Sequence, residues 1–274
     1  MDRKQIIEKL KERGYMAEED DVIKNGVKIE GICIFNESPV TPVIYTEEII
    51  AWAEKNKKGI DSVADKVIRL YEKNKKAKFD IEKLSDLEWV KTRLRVELQK
   101  KSTEELVKKD CEELEGIESY LVVRCVDSGT QNYSIKLTMP LLNFIGISEE
   151  EAWKQAEENT NGETVIENIF SVISRLIGQS VEAPEFCKEL YIISNRTQVK
   201  GASAILNKEV LKKFGEEHNI EKIVVMPSSI HEMIIAPFES TENIEDFSKM
   251  VAEINCKEVD PKERLTNRAY ILPV

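Results

Sequence analysis

The sequence lacks the glycine-rich loops with which many enzymes hold phosphate groups. It has 11 glycines among 274 residues, and none of them falls in a G-x-G-x-x-G or G-x-x-x-x-G-K-[ST] pattern. Those two patterns mark the common dinucleotide-binding and nucleoside-triphosphate-binding folds. Their absence predicts that the chain is not a nucleotide-dependent enzyme of either kind.

Long apolar runs are also missing. No run approaches the roughly 18 residues that a membrane-spanning helix needs. The first residues, Met1-Asp-Arg-Lys-Gln5, lack the apolar segment of a signal peptide. We therefore expect a cytoplasmic protein without membrane contact.

Patterns typical of disulfide and metal sites are absent. The five cysteines are scattered, odd in number and never spaced C-x-x-C, and neither of the two histidines has a ligand-like companion nearby. We expect reduced thiols, no metal and no other cofactor. The cysteines are Cys33, Cys111, Cys125, Cys187 and Cys256.

Positive charge is in the minority. The chain has 51 acidic and 40 basic side chains, for a formal net charge of −11. Binding to nucleic acid or to an anionic membrane needs concentrated positive charge, so this balance weighs against both. It also motivates one alternative hypothesis, an acidic DNA mimic that antagonises a host defence system, although the interspersed basic residues dilute any phosphate-like array.

Residues 191–237 carry the highest density of secondary-structure signals in the sequence. Apolar runs, a capping residue at Asn207 and a left-handed cap at Asn219 predict two strands and a helix, and the Pro-Ser-Ser turn predicts a hairpin. A further helix and a last strand follow. The predicted elements are a strand at 191–194, a helix at 208–218, strands at 223–226 and 230–236, a helix at 241–255 and a strand at 268–272.

The preceding part of the chain carries similar patterns. Asn25-Gly26 between two apolar runs is a strong hairpin signal, because a type I′ turn needs positive φ at both central residues. Residues 94–98 alternate apolar and charged side chains, which predicts a strand with one face in water. Other patterns predict a hairpin of 120–126 with 133–138, a polar helix at 102–111 and a core helix at 165–177.

Together these elements predict an α+β fold, in which mixed or antiparallel sheets with hairpins pack against amphipathic helices. We expect two lobes, residues 1–115 and residues 116–274. The length is sufficient for a substantial hydrophobic core in such an arrangement.

Chemically capable side chains are concentrated near the predicted hairpin turn. Ser228 or Ser229 as nucleophile, His231 as base and Glu232 as orienting acid would form a triad, which needs hydrogen bonds of about 2.6–3.2 Å. Neighbouring residues of a regular strand point to opposite faces, so His231 and Glu232 would be separated by the sheet. We therefore expect no catalytic set and a binding surface instead. Its predicted residues are Asn195, Arg196, Ser203, Ser228, Ser229, His231 and Glu232.

Two segments carry a resemblance to known families. Gly201-Ala-Ser-Ala-Ile-Leu-Asn207, followed by a helix with Val210-Leu211 and by Val-Val-Met-Pro-Ser-Ser-Ile-His-Glu-Met-Ile-Ile-Ala-Pro at 224–237, resembles an uncharacterised family of Gram-positive gut bacteria, often encoded on conjugative elements. Residues 135–160 match the same pattern. More distantly the chain is similar to the uncharacterised YtpQ-like family of bacilli. The resemblance implies the fold and the setting, and it supplies no catalytic residue, cofactor or substrate.

We therefore expect a non-enzymatic interaction or accessory protein associated with bacterial mobile elements, with a protein as its partner. A second alternative is a serine-dependent hydrolase or transferase that uses Ser229 and His231. Those two residues would share a strand face if the turn ended at Ser228.

Overall fold

A computed structural model describes residues 1–35, 42–74, 81–126, 132–182, 184, 189–239 and 241–274. Helices alternate with antiparallel sheets, so the predicted α+β class is confirmed. The described residues fall into two compact units, one up to residue 74 and one from residue 81 onward. The predicted lobes, 1–115 and 116–274, divide the chain at a different point, and their independence stays a prediction.

The smaller unit packs helices against a short antiparallel sheet. Its helices are α1 (Arg3–Glu12), α2 (Glu47–Lys55) and α3 (Ile60–Asn74), and its strands are β1 (Ala17–Glu19), β2 (Val22–Lys24), β3 (Val27–Ile29), β4 (Gly31–Ile34) and β5 (Val43–Tyr45). The predicted hairpin is confirmed: β2 pairs with β3, and Asn25 and Gly26 have φ of 50° and 73°. Ile6, Leu10 and Val63 are among the residues of its core.

The larger unit begins with a four-stranded antiparallel sheet and the helices beside it. The strands are β6 (Leu94–Lys100), β7 (Lys108–Asp110), β8 (Ile117–Val126) and β9 (Asn132–Lys136), and the helices are α4 (Leu87–Lys91), α5 (Met139–Ile145) and α6 (Glu149–Asn161). Strand β8 pairs with β6, with β7 and with β9. The predicted hairpin of 120–126 with 133–138 is therefore confirmed.

A five-stranded antiparallel sheet completes the larger unit. Its strands, in spatial order, are β10 (Thr164–Asn168), β11 (Tyr191–Asn195), β13 (Met233–Pro237), β12 (Lys222–Pro227) and β14 (Tyr270–Pro273). The helices are α7 (Ile169–Ile177), α8 (Lys208–His218) and α9 (Ile244–Glu258), with a 3-10 helix at Ala202–Leu206. The predicted caps of α8 are confirmed: the Asn207 side chain accepts from the Val210 amide, and Asn219 is left-handed.

Two predicted helices differ from the structure. The core helix predicted at 165–177 is confirmed from Ile169 to Ile177, but its first residues are not helical. Residues 165–168 belong to β10, and a helix begins only after Asn168, whose side chain accepts from the Phe170 amide. A continuous apolar run fits either state, and pairing with β11 decides it here. The helix predicted at 102–111 is wrong: within this segment Lys108–Asp110 form β7, and the Val107 amide donates to the Leu137 carbonyl.

The strand predicted at 94–98 is confirmed as β6, but the prediction that its polar face meets water is wrong. Glu97 and Gln99 are only 2% and 1% exposed. The apolar face, with Leu94, Val96 and Leu98, is buried as well. Alternation reveals the two faces of a strand, but it does not reveal what covers each face.

None of the helices in the described ranges is long and apolar enough to cross a membrane. Cys111 and Cys256 are free thiols, and Cys33 and Cys125 are buried. The prediction for Cys187 falls outside the described residues.

Gly201 is required by a close approach of the backbone where β11 and the 3-10 helix meet. A Cβ atom there would lie 2.5 Å from the Asn195 amide nitrogen and closer still to the Ser194 hydroxyl. Backbone and a hydrogen-bonded hydroxyl cannot move aside easily.

We expect Gly201→Ala to lower the free energy of unfolding by about 1–3 kcal/mol, the usual cost of overpacking. Urea denaturation measures the change. Gly162→Ala is the matched control in the same unit, because its Cβ would be in ordinary contact at 3.5 Å from the Glu158 carbonyl. Equal stability of the two variants would contradict the conclusion that the backbone approaches too closely at Gly201 for a Cβ atom.

Candidate functional site

One face of the four-stranded sheet is polar and buried. Arg95, Glu97 and Gln99 alternate along β6, and the register places Tyr120 of β8 opposite Glu97. Tyr120 is as buried as Glu97. A buried charge is costly unless it is paired and hydrogen-bonded, so this face must hold its charges in a network.

Glu97 is held by two neighbours. The Tyr120 hydroxyl donates to Glu97 Oε2 at 2.9 Å, and Arg124 Nε lies 3.6 Å from Glu97 Oε1. At 3.6 Å the two groups form an ion pair, but they are too far apart for a hydrogen bond. Glu97 Oε1 therefore has no hydrogen-bond partner among the described residues. Burial, and then the charge of Glu97, raises the pKa of Tyr120 well above its usual value. Tyr120 therefore stays a neutral donor.

Arg124 extends the network from this sheet to the next. Its Nη2 donates to the Lys200 carbonyl at 2.9 Å, and its Nη1 lies 3.5 Å from Glu163 Oε2. Arg95 donates to Glu163 Oε1 through Nη2 at 2.6 Å and through Nε at 3.0 Å. One carboxylate therefore bridges two guanidinium groups.

A cavity of about 550 Å³ opens beside this network. This volume lies in the range of about 300–1,000 Å³ that is usual for small-molecule sites. Uncharged residues such as Tyr133, Ser134 and Thr197 form part of its wall. Its charged lining residues are Arg93, Arg95, Arg124, Lys200, Glu97 and Glu163. The cations outnumber the carboxylates, in contrast to the acidic chain as a whole.

The cavity wall includes a loop, residues 196–200, in an uncommon backbone conformation. Gln198 and Lys200 both have φ of 53°, which costs a residue other than glycine about 1–3 kcal/mol and persists only where the surroundings enforce it. Asn195 enforces it from within: its Oδ1 accepts from the Thr197 and Val199 amides, and its Nδ2 donates to the Val199 carbonyl at 2.8 Å. Such conformations cluster at ligand sites.

His231 holds the same loop from outside. Its Nδ1 accepts from the Lys200 amide at 3.2 Å, and its Nε2 lies 3.3 Å from Glu263 Oε1. The tautomer with its proton on Nε2 satisfies both contacts. The His231 carbonyl accepts from the Gly201 amide and from the Ser194 hydroxyl. His231 thus fixes the position of Lys200 at the cavity wall.

The hairpin turn differs from the prediction at 230–236. Strand β13 begins at Met233, so His231 and Glu232 lie in the turn and not on the strand. The Ser229 amide donates to the Glu232 carbonyl, and the Ile230 amide donates to the Glu263 carbonyl. These bonds curl the chain, so the rule of opposite faces does not apply to this pair.

The predicted serines make backbone contacts. The Ser229 hydroxyl accepts from the His231 amide at 3.0 Å, the Ser203 hydroxyl donates to the Val96 carbonyl at 2.7 Å, and Ser228 is half-buried. Within the described residues, no hydrogen bond joins the Ser229 hydroxyl to the His231 ring. Burial raises the pKa of Glu232. The carboxylate that contacts the His231 ring is that of Glu263, not that of Glu232.

The residues of the predicted binding surface do not all lie at one cavity. Asn195 and His231 shape the loop at the cavity, and the Arg196 amide donates to the Glu163 carbonyl at 3.1 Å. Ser203 faces a different cavity, lined by Trp153 among other residues. The sequence reasoning missed the cavity arginines, because they converge only when the strand register is known.

The polar face continues beyond the cavity to Glu118. Gln99 Nε2 and the Ser102 hydroxyl each donate to Glu118 Oε1 at 2.8 Å, and Lys108 Nζ lies 3.1 Å from Oε2. Burial alone would raise the pKa of Glu118, but the donors from Gln99, Ser102 and Lys108 outweigh it and hold the pKa below its usual value. No group of three or more potential metal ligands is found in the described ranges.

The lowered pKa of Glu118 makes stability depend on pH. A carboxyl with a depressed folded-state pKa stabilises the fold above its ordinary pKa, 4.5 for glutamate, and this contribution is lost as the pH falls through the folded value. We expect Glu118→Gln to be less stable than wild type at neutral pH, with a shallower loss below about pH 4.5.

Chemical denaturation at a series of pH values measures both effects. Glu158→Gln is the control, because this side chain is exposed and receives no such donors from the described residues. If the free energy of unfolding changed with pH in the same way for wild type and Glu118→Gln, the pH dependence would not come from Glu118.

Comparison with known proteins places the chain in a family. The model of a family of unknown function, DUF5688, matches residues 3–272. No curated protein and no solved structure matches the chain significantly. Because the match covers nearly the whole sequence, the chain belongs to the DUF5688 family.

Proposed function

We propose that this chain is a non-enzymatic binding protein that holds a small anionic ligand in the cavity lined by Arg93, Arg95, Arg124 and Lys200. The observation that carries the proposal is the convergence of these cations on one cavity in a chain with a formal net charge of −11. Cations that line one cavity repel one another, and a cleft with an excess of positive charge attracts a negatively charged ligand. The ligand class is a small phosphate- or carboxylate-bearing molecule.

Arg93 is the cation best placed to bind an incoming anion. Its guanidinium stacks 4.3 Å above the Trp89 ring, and its Nη1 donates to the Trp89 carbonyl and the Thr92 hydroxyl. A guanidinium carries five N–H donors. Its remaining donors have no acceptor in the part of the chain that the structure describes, so they are available to a planar or tetrahedral oxyanion.

Arg95 and Arg124 are already oriented for the same purpose. Arg95 Nη1 is anchored by the Thr92 and Leu94 carbonyls at 3.0 Å and 2.7 Å, which leaves its other nitrogens to hold Glu163. The Glu163 carboxylate shows that the space between these two arginines accepts an oxyanion. A ligand anion would meet donors that are preorganised, which reduces the entropic cost of binding.

The contacts around Ser229 and His231 support binding rather than chemistry. A nucleophile and its base need a mutual hydrogen bond, and the described contacts of both side chains go to other groups. The hydrolase or transferase alternative therefore has no geometric observation in its favour. The His231 ring acts on the cavity through the loop instead.

The remaining elements of the proposal concern setting and partners. The proposal includes a cytoplasmic location. It also includes an association with mobile elements of Gram-positive gut bacteria, which the resemblance implies. A protein partner fits if the anionic group is a carboxylate of that partner. The DNA-mimic alternative requires a phosphate-like acidic array, and the cavity presents the opposite charge.

Titration calorimetry with inorganic pyrophosphate and with citrate at low ionic strength tests the proposal. We expect wild type to bind at least one of them and Arg93→Gln/Lys200→Gln to lose about tenfold or more in affinity. Each charge-assisted hydrogen bond is worth about 1.5–3 kcal/mol, and about 1.4 kcal/mol corresponds to tenfold.

Lys212→Gln/Lys213→Gln is the matched control, since it removes the same charge from exposed positions of α8. An equal loss in the control would show that net charge alone sets the affinity. Absence of binding of both anions to wild type would overturn the proposal.

Glu163→Gln should change the affinity in the opposite direction. Because the carboxylate competes with the ligand for Arg95 and Arg124, its neutralisation is expected to raise the affinity for pyrophosphate roughly fivefold, equivalent to about 1 kcal/mol. The same titration measures it. Glu167→Gln, which removes the partner of the exposed Arg175, is the control. A lower affinity of Glu163→Gln would show that Glu163 positions the arginines instead.

A further inference from the structure

Lys200 connects the imidazole of His231 to the cationic cavity, which Arg93, Arg95, Arg124 and Lys200 line. The Lys200 amide donates to His231 Nδ1 at 3.2 Å, and the Lys200 carbonyl accepts from Arg124 Nη2 at 2.9 Å. One residue therefore joins the ring to a cavity arginine through its two backbone groups. A change at the ring that moves Lys200 also moves the acceptor that orients Arg124.

The backbone of His231 is held on both sides. Its carbonyl accepts from the Ser194 hydroxyl at 2.8 Å and from the Gly201 amide at 2.9 Å. Its amide donates to the Ser229 hydroxyl at 3.0 Å. Because both polar groups of this backbone are engaged, a change in the hydrogen bonding of the ring acts on the neighbours of the ring instead of being absorbed by movement of residue 231.

The charged residues around the His231 ring come from the loop, the turn and the segment after α9. Glu263 Oε1 lies 3.3 Å from His231 Nε2, and the Glu263 carbonyl accepts from the Ile230 amide, which ties this segment to the turn. Burial raises the pKa of Glu232, and the charge of His231 opposes this effect. Lys200 is the cationic residue of the set.

Protonation of the ring would keep one of its contacts and break the other. The neutral ring accepts from the Lys200 amide at Nδ1 and faces Glu263 with Nε2. A protonated imidazole carries an N–H donor at both nitrogens and no acceptor. Rotation of the ring therefore cannot restore an acceptor for the Lys200 amide, whereas the contact with the Glu263 carboxylate becomes an attraction between opposite charges.

The Lys200 amide lies at a strained position of the loop. Lys200 itself has φ of 53°, and such a conformation persists only where the surroundings enforce it. Asn195 holds the Thr197 and Val199 amides, whereas His231 holds the Lys200 amide. Loss of the bond to His231 therefore removes support at the strained residue while the inner part of the loop stays anchored.

We propose that protonation of His231 is a switch that releases Lys200 and lowers the affinity of the cationic cavity for its anion. Imidazole is the side chain whose charge ordinarily changes between about pH 5 and pH 8, so the switch operates around neutral pH. This inference rests on the proposed function, because it concerns the regulation of the same site.

The direction of the pH effect separates this switch from simple attraction between charges. A proton added to His231 or to Glu232 makes the neighbourhood of the cavity more positive. Coulomb attraction alone would therefore strengthen the binding of an anion as the pH falls. Release of Lys200 weakens that binding instead.

The test uses the full chain at low ionic strength and inorganic sulfate, whose charge stays constant over the pH range used. Nuclear magnetic resonance of ¹⁵N-labelled protein follows the sulfate titration and the exchange of the Lys200 amide with water. From about pH 8 to about pH 5.5, we expect wild type to lose roughly threefold in sulfate affinity, as the loss of one ordinary hydrogen bond predicts. The protection of the Lys200 amide, relative to its intrinsic exchange rate at each pH, should fall as well.

The chain has two histidines, and the second one supplies the matched control. His231→Asn places a side-chain carbonyl, an acceptor that does not titrate, close to the position of Nδ1. In this variant we expect both the sulfate affinity and the protection of the Lys200 amide to stay nearly constant with pH. His218→Gln removes the other histidine and should respond to pH as wild type does.

Three results would overturn the switch: a sulfate affinity of wild type that rises or stays constant on acidification, an unchanged protection of the Lys200 amide, or a wild-type pH response in His231→Asn. If wild type bound no anion at either pH, the proposed function would fail. The protection of the Lys200 amide, which is measured without ligand, would then still decide whether protonation of His231 releases the loop.

Discussion

The larger unit depends on one guanidinium group. Arg124 lies on β8 and contacts Glu97 of its own sheet, Glu163 at the entrance to β10 and the carbonyl of Lys200 after β11. It therefore joins the four-stranded sheet to the five-stranded sheet through charge as well as packing. Without it, Glu97 would remain as a buried charge with only Tyr120 beside it, and breaking such a pair is strongly destabilising.

The same contacts that hold the sheets together also shape the cationic cavity. The arginines that line the cavity are oriented by carbonyls and by Glu163, and the position of Lys200 is fixed by the loop that Asn195 and His231 hold. A pre-formed cavity with a few precisely placed polar groups is the usual arrangement of a binding site. The histidine that the sequence suggested as a catalytic base serves here as a support for the loop.

Local patterns predicted much of the fold. The Asn25-Gly26 turn, the caps at Asn207 and Asn219 and the strand state of β6 each depend on residues close in sequence, and each is confirmed. The errors occur where distant segments decide. Residues 165–168 form a strand because β11 pairs with them.

The candidate site could be predicted only in part. His231 and Asn195 were recognised because polar side chains near a turn are visible in sequence. Arg95, Arg124 and Lys200 were not, because the register of β6 with β8 and a loop far along the chain bring them together. The burial of Glu97 likewise depends on what covers its face, which no local pattern encodes.

The place of β14 in the five-stranded sheet has a consequence for biosynthesis. It pairs with β12 from Lys222↔Pro273 to Val225↔Tyr270, so β12 has a partner on only one side until residue 273 has left the ribosome. The smaller unit, whose elements all precede residue 75, can form cotranslationally. The larger unit completes its sheet only after β14 has been synthesised, and during that interval the edge of β12 is open to pairing with another chain.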